Sequence, residues 1–294
     1  LCQRRILPST PSASAPPIMP ELPEVEVSRL GIAPEIEGQT LAGAIVRNRA
    51  FRQPVPAGLN RTLAGLRVES VRRRGKYLLL RCARGEQLAG HLLLHLGMSG
   101  SLRFVARDAP AEAHDHVDLI FARQALRLRD PRRFGLVLWH AGADIDRHPL
   151  LATLGPEPLE AEFDGAWLRR ALASRTQAIK PAIMDSHLVV GVGNIYASES
   201  LFGARISPLR AANRISLAGC ERLAESIRRT LATAIAAGGS SVRDYVHSDG
   251  GAGCFQLQCA VYERAGEACQ GCGAPIRTIR QAGRATYYCP RCQR

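Results

Sequence analysis

The chain has 294 residues, 46% of them apolar, and a formal net charge of +13. That length holds one large domain or two to three ordinary ones, and the apolar share is enough to bury a core. No run of 18 uninterrupted apolar residues occurs, so no membrane span is expected, and the charge points to a polyanion: nucleic acid or an anionic membrane surface.

Residues 1–18, LCQRRILPSTPSASAPPI, are rich in Pro, Ser and Ala and carry no periodicity. They lack the apolar core of a signal peptide, and the first methionine is Met19. A disordered tail, a transit-like leader and upstream sequence that is never translated all fit, and the position of Met19 favours the last. Of nine cysteines, four fall in two CxxC pairs near the C-terminus and the others are scattered. This differs from the short secreted disulfide scaffolds and favours an intracellular, reducing setting. Lys76 and Lys180 are the only lysines. Arginine is the better phosphate fork, although a GC-rich genome would enrich it too.

In chain order, PEVEVSRLGIAPEIE (23–37) places Val25, Leu30 and Ile36 among charged residues and reads as a helix, strained by Gly31 and Pro34. From Thr40 to about His140 come short apolar runs: LAGAIV, RVESVRR, KYLLLRC, QLAGHLLLHL, SLRFV, HVDLIFA, ALRLRD and GLVLWH. Gly, Pro and Asp punctuate them about every ten residues, the pattern of an antiparallel sandwich or barrel. After GPEPL (155–159), helical spacing takes over in DGAWLRRALASR, in the segment after Gly193 and in SLAGCERLAESIRRTLATAIAAGG, which ends near Gly238 and Gly239.

The tail carries Cys269 and Cys272, then 16 residues, then Cys289 and Cys292. Each pair can bite one tetrahedral ion, and the intervening stretch is long enough for a hairpin that joins them, as in four-cysteine zinc sites. Four thiolates leave no open position, so the zinc is expected to be structural. Two redox pairs or a disulfide knuckle are the alternatives. PIRTIRQAGRATYY, between the pairs, puts Arg277, Arg280 and Arg284 on the hairpin, a basic element suited to nucleic acid.

Four segments together, MPELPEVE (19–26), DPRRFG (130–135), VVGVGNIYASE (189–199) and the four-cysteine tail, resemble the formamidopyrimidine-DNA glycosylase family. The resemblance runs from Met19 to Arg294. Leu22 stands where the related endonuclease VIII typically has glycine, which favours the branch acting on oxidised purines. The family uses a mature N-terminal proline as nucleophile, so the resemblance implies removal of Met19 to free Pro20. An α-amino group has a pKa of about 7.7 to 8.0, leaving a neutral fraction able to attack C1′ of the damaged nucleotide and form an iminium. Within a longer polypeptide Pro20 would be a tertiary amide, so residues 1–18 are expected to be absent from the active protein.

The same resemblance makes Glu21 the proton donor to the sugar ring oxygen, for which partial burial would supply a raised pKa. Glu24 orients the amine or supports the helix N-terminus. Without the resemblance, both acids read as ordinary first-turn charge. Lys76 matches the lysine of proton transfer in β-elimination, where a lone strand-end lysine would read as an edge gatekeeper. Arg284 matches the hairpin arginine that binds phosphates around the lesion and is linked to δ-elimination. Base removal also requires flipping the nucleotide out of the stack. Met98, Arg132 and Phe134, on Gly-flanked loops, match the family's void-filling trio: an apolar wedge and an arginine for the orphaned base.

GVGNIYASE lacks the spacing of a dinucleotide fingerprint. It reads as a Gly turn opening a helix whose N–H groups face an anion, and in the family as the helix-two-turn-helix element, where Asn194 binds phosphate. Lys180 is a further matched phosphate contact with Arg175 close by, and His114 matches a DNA-contacting histidine. The alternation of His114, His116 and Asp118 also reads as a polar strand face or a metal site. Two departures from the family pattern, SRTQ before AIKP and Cys254 within the loop 240–256, bear on lesion preference.

The expected protein is thus α+β and multidomain. It has a leader and initiator methionine (1–19), an N-terminal helix with an antiparallel β-sandwich (20–148), a helix-two-turn-helix domain (149–262) and a four-cysteine zinc-finger hairpin (263–294). The resemblance implies one structural Zn2+ per chain, a monomer in the bacterial cytoplasm and nucleoid, and duplex DNA bearing oxidised purines as partner, with no membrane. An oxidised-pyrimidine enzyme and a non-catalytic DNA-binding protein are the competing readings.

Overall fold

The structure, a computed structural model, describes residues 20–239 and 259–294. Helix α1 spans Leu22–Ile36. Pro23 lies in its first turn, where a missing N–H is harmless, and Glu24 Oε2 accepts from the Glu21 backbone N–H at 2.8 Å, as in a capping box. The helix carries Gly31 through its middle and ends two residues after Pro34, whose ring leaves one carbonyl a turn earlier without its donor. Leu30, expected on the apolar face, is 50% exposed. It sits about 140° round the helix from Val25, whereas Val25, Ile32 and Ile36 share the buried face.

All eight apolar runs form strands: β1 (Gly43–Val46), β2 (Arg67–Arg74), β3 (Tyr77–Arg84), β4 (Gln87–His95), β5 (Ser101–Ala106), β6 (Asp115–Ile120), β7 (Gln124–Arg129) and β8 (Leu136–Ala141). They pair antiparallel in two sheets, ordered β1-β6-β7-β5 and β2-β3-β4-β8. A single core, including Leu78, Leu80, Leu92, Leu94, Val117, Leu126 and Val137, lies with them and with Val25, Ile32 and Ile36 of α1. Each fully buried Leu, Val or Ile here contributes roughly 1.5–3 kcal/mol. The runs in β3 and β4 do not alternate because their other face is also covered: Leu79 and Leu93 pack on Ile145 and Leu151. A short helix, α2 (Leu59–Leu63), follows β1.

The second half contains α3 (Gly165–Leu172), α4 (Ile179–Ile183), α5 (Asn194–Gly203) and α6 (Leu217–Ala236). Asp164 caps α3 by accepting from Trp167 N at 2.6 Å, and Ser216 caps α6 by accepting from Gly219 N at 3.2 Å. Leu22 of α1 belongs to this helical core, with Ile195, Tyr196, Leu223 and Ile227. One helix therefore lends side chains to both cores. The tail hairpin pairs β9 (Arg277–Gln281) with β10 (Arg284–Tyr288). Its two-residue turn has φ of 46° at Ala282 and 76° at Gly283, the sense that suits a tight hairpin.

Candidate active site and DNA-binding surface

Pro20 is buried at the start of α1, and next to it Glu21 is 2% exposed. The Glu21 carboxylate reaches across to the start of α5, accepting from Gly193 N at 2.7 Å and Ile195 N at 3.1 Å. The anion at this helix N-terminus is therefore the protein's own carboxylate. Leu22 N donates to Gly191 O at 3.1 Å, closing the junction. Burial pushes the Glu21 carboxyl up to about 7. The charge of Lys76 is the largest opposing influence, and Glu24 adds to the rise. Glu24 is itself held by Tyr196 Oη at 2.6 Å.

Lys76 is the second residue of the β2–β3 turn and is half-buried. Burial pushes its ammonium below the usual lysine range, against the pull of Glu21 and Glu24. A carboxyl raised toward neutrality beside an amine lowered from its usual range is the pairing that acid–base work at neutral pH requires. The turn is fixed from across the domain junction. Glu157 accepts from Gly75 N at 2.6 Å and from Arg73 at 2.7 Å, and a Cβ at Gly75 would lie 3.1 Å from Val190.

Lys180, expected to meet phosphate, is 1% exposed. Its ammonium donates to Asn194 Oδ1 at 2.7 Å, Thr286 Oγ1 at 2.8 Å and Ala285 O at 2.9 Å. It thus ties α4 to α5 and to the hairpin. These acceptors favour the charged form, while burial pushes its pKa down to about 7. The Asn194 amide also lies beside the Tyr262 phenol, where it opposes the rise that burial gives that group. Lys180 and exposed Arg284 line one pocket of about 210 Å³ together with Met184, Asp185 and Gln281. Arg175 pairs with Asp185 at 2.7 Å.

The other expected contacts lie at one end of the sandwich. Phe134 is 45% exposed, the Arg132 guanidinium lies 5.0 Å from its ring centroid, and Met98 is half-buried. His114 is exposed with φ 75°. Its neighbours form no metal site: His116 Nε2 bonds Asp130 O at 3.0 Å, and Asp118 pairs with Arg47 at 2.6 Å and Arg127 at 2.8 Å.

Among the described residues one group could hold a metal: the Sγ atoms of Cys269, Cys272, Cys289 and Cys292, all within 4.8 Å of one another. Zn–S bonds of about 2.3 Å in a tetrahedron require edges of about 3.8 Å. The Cys272–Cys289 and Cys269–Cys292 separations, 3.4 and 3.9 Å, bracket that value. The four thiols fit one structural zinc. Cys254 and the loop 240–256 lie outside the described residues.

Sequence reasoning missed four supporting residues. Gly193 leaves room for the Glu21 carboxylate, and Tyr196 holds Glu24. Tyr262 lies beside Asn194, and Glu157 braces the turn that carries Lys76. Gly193 and Tyr196 sit inside the quoted GVGNIYASE, so that motif contained the signal.

A sandwich and a helical domain that close on a buried acid, beside a zinc-finger hairpin with a basic face, define an enzyme that works on DNA. Family models agree segment by segment. Residues 19–137 match the formamidopyrimidine-DNA glycosylase N-terminal domain, 154–246 its H2TH domain, and 266–294 a zinc finger found in FPG and IleRS. The formamidopyrimidine-DNA glycosylase of Dechloromonas aromatica is 60% identical over 94% of this chain and 100% of its own; that of Aromatoleum aromaticum is 58% identical with the same coverage. Among solved structures, the MutM (Fpg) protein of Thermus thermophilus aligns with TM-score 0.82 and 38% identity, over 93% of this chain and 98% of its own. A Lactococcus lactis Fpg mutant in complex with DNA containing Fapy-dG aligns with TM-score 0.86 and 36% identity, over 94% and 100%. The chain belongs to the formamidopyrimidine-DNA glycosylase family, DNA glycosylases of base-excision repair.

Proposed function

We propose that the chain is a bifunctional glycosylase and AP lyase that removes oxidised purines, 8-oxoguanine and formamidopyrimidines, from duplex DNA. The Pro20 nitrogen attacks C1′. Glu21 delivers a proton to the sugar ring oxygen, the glycosidic bond breaks, and the base leaves with the bonding pair. The attached nitrogen loses its proton, the C1′–O4′ bond breaks with its electron pair going to the oxygen that Glu21 protonates, and the nitrogen lone pair closes an iminium between Pro20 and the ring-opened C1′. Removal of a C2′ proton expels the 3′ phosphate, with Lys76 transferring protons. A second elimination, with Arg284 on the phosphates, expels the 5′ phosphate and leaves a one-nucleotide gap. His114, Arg132, Arg175, Lys180 and Asn194 hold the DNA, directly or by shaping the surface, while Met98 and Phe134 fill the void left by the flipped nucleotide. Zinc on the four cysteines holds the hairpin and takes part in no step.

The observation that carries this reading is the buried Glu21, next to Pro20 in the chain and raised to about 7 against the opposing charge of Lys76, whose own ammonium burial lowers. The division at 20–148, 149–262 and 263–294 accords with it. The protein acts in this reading as a monomer on the nucleoid in the cytoplasm; the basic charge supports the DNA partner and the bacterial relatives the setting. The test is borohydride trapping of protein started at Met19 on an 8-oxoguanine:cytosine duplex, with a thymine-glycol duplex alongside. A covalent adduct mapped to Pro20 by mass spectrometry is expected. Protein of verified mass, lacking Met19, that traps neither duplex would overturn the catalytic reading.

A further inference from the structure

Met98 and the pair Arg132 and Phe134 sit on different connections, and both connections cross between the two sheets. The β4–β5 loop leaves the sheet β2-β3-β4-β8 and enters β1-β6-β7-β5; the β7–β8 loop returns the other way. Such crossovers have no ladder to hold them together. Here one buried carboxylate does so. Asp130 is fully buried. Its Oδ1 accepts from Ser99 Oγ at 2.9 Å and Arg132 N at 3.3 Å, and its Oδ2 accepts from Gly135 N at 2.9 Å. Ser99, 3% exposed, is the residue after Met98, and its Oγ also accepts from Arg132 N at 3.3 Å. The backbone of Asp130 extends the arrangement: its N–H donates to His114 O at 3.0 Å, and its carbonyl meets His116 Nε2.

The two loops also touch directly. Gly97 has φ 66°, and a Cβ there would lie 2.5 Å from both Phe134 C and Gly135 N. Gly97 N donates to His95 Nδ1 at 2.9 Å, an acceptor that survives across physiological pH because burial pushes His95 down to about 3. Every donor around the carboxylate is an O–H or N–H, so the position calls for acceptor oxygens on both sides, which aspartate alone of the short side chains supplies.

We infer that Ser99 and Asp130 are positioning residues that couple the Met98 loop to the Arg132–Phe134 loop, so that the three side chains enter the DNA stack as one rigid wedge. This rests on the proposed assignment of those three side chains to the void. Neither positioning residue touches the lesion. Their effect is to remove the independent motion that two separate loops would have to lose as they enter the helix together.

The test compares full-length wild type with Ser99→Ala and Ser99→Thr on two duplexes under single turnover. One duplex carries 8-oxoguanine opposite cytosine, which must be unstacked; the other carries an abasic aldehyde, which has no base to extract. Fluorescence of 2-aminopurine beside the lesion reports opening. Ser99→Ala is expected to slow the opening phase about tenfold and to raise the ratio of abasic cleavage to 8-oxoguanine excision at least fivefold. Ser99→Thr, which keeps the hydroxyl, restores the wild-type ratio. Equal slowing on both duplexes with unchanged opening would overturn the coupling. Should Ser99→Ala fail to fold, as judged by thermal melting and zinc content, Asp130→Asn, which keeps one acceptor oxygen, carries the same test. A wild type that excises nothing would count against the proposed function instead.

Discussion

Gly193 faces the Glu21 carboxylate so closely that a methyl group on Gly193 would occupy the space of the carboxylate itself. Its φ of −119° is open to any residue, so the glycine is required for room alone. Gly193→Ala should therefore displace Glu21 from the two amides of α5. The expected result is at least a 100-fold fall in glycosylase kcat/KM, about 2.7 kcal/mol of barrier, with a stability loss of about 1–3 kcal/mol. Single-turnover excision and thermal melting measure the two.

Glu21 sets a pH dependence of known sign. Its carboxyl rises from 4.5 to about 7 on folding, so between those values the native state holds a proton that the unfolded chain has lost. Stability must then fall as pH rises from about 4.5 to 7, by up to about 3 kcal/mol from this group. Glu21→Gln removes that slope, and denaturant titrations of both proteins across the interval measure it. The activity profile should be bell-shaped, with limbs set by Glu21 and the Pro20 amine and a maximum between about 7 and 8.

Lys180→Met keeps length and burial but leaves the Ala285 carbonyl and the Asn194 amide oxygen without their donor. An orphaned buried acceptor costs about 1–3 kcal/mol. Because those contacts seat the hairpin that carries Arg284, gel analysis of abasic-site cleavage should show more product halted after β-elimination. An unchanged product ratio in a folded variant would contradict the link.

The cysteine knuckle buries little else: Val261 and Ile276, with Cys269 and Cys289. So small a core is not self-sustaining without its ion. Cys272→Ser, or chelation, should free the hairpin and weaken duplex binding at least 100-fold, while far-ultraviolet dichroism keeps the sandwich and helices. Tight binding by zinc-free protein would contradict this.

Much of the sandwich was legible because its strands are apolar runs, most of them closed by Gly, Pro or Asp. The helices α3, α5 and α6 are long enough to show their period. Helices α2 and α4 span five residues each, less than the window in which periodicity appears. Leu30 looked apolar and in step, yet it points outward. The cysteine spacing was readable from local chemistry, whereas the acid beside Pro20 stood out only through the family resemblance. Partners far apart in the chain were not. Glu21 meets Gly193 across 172 positions and Lys180 meets Thr286 across 106, and nothing in either neighbourhood names the other. The buried state of Lys180 follows from such a meeting, which motif matching alone does not reveal.

The helix shared by the two cores also sets an order of events during synthesis. Glu21 and Leu22 leave the ribosome before the residues that cover them, Gly191, Gly193 and Ile195, with some 170 positions between. At about 5–20 residues per second, the nascent Glu21 carboxylate waits roughly 10–30 s for those residues to be made. The residues of the sandwich, up to Ala141, have all been made by then, but the amides that hold the Glu21 carboxylate have not.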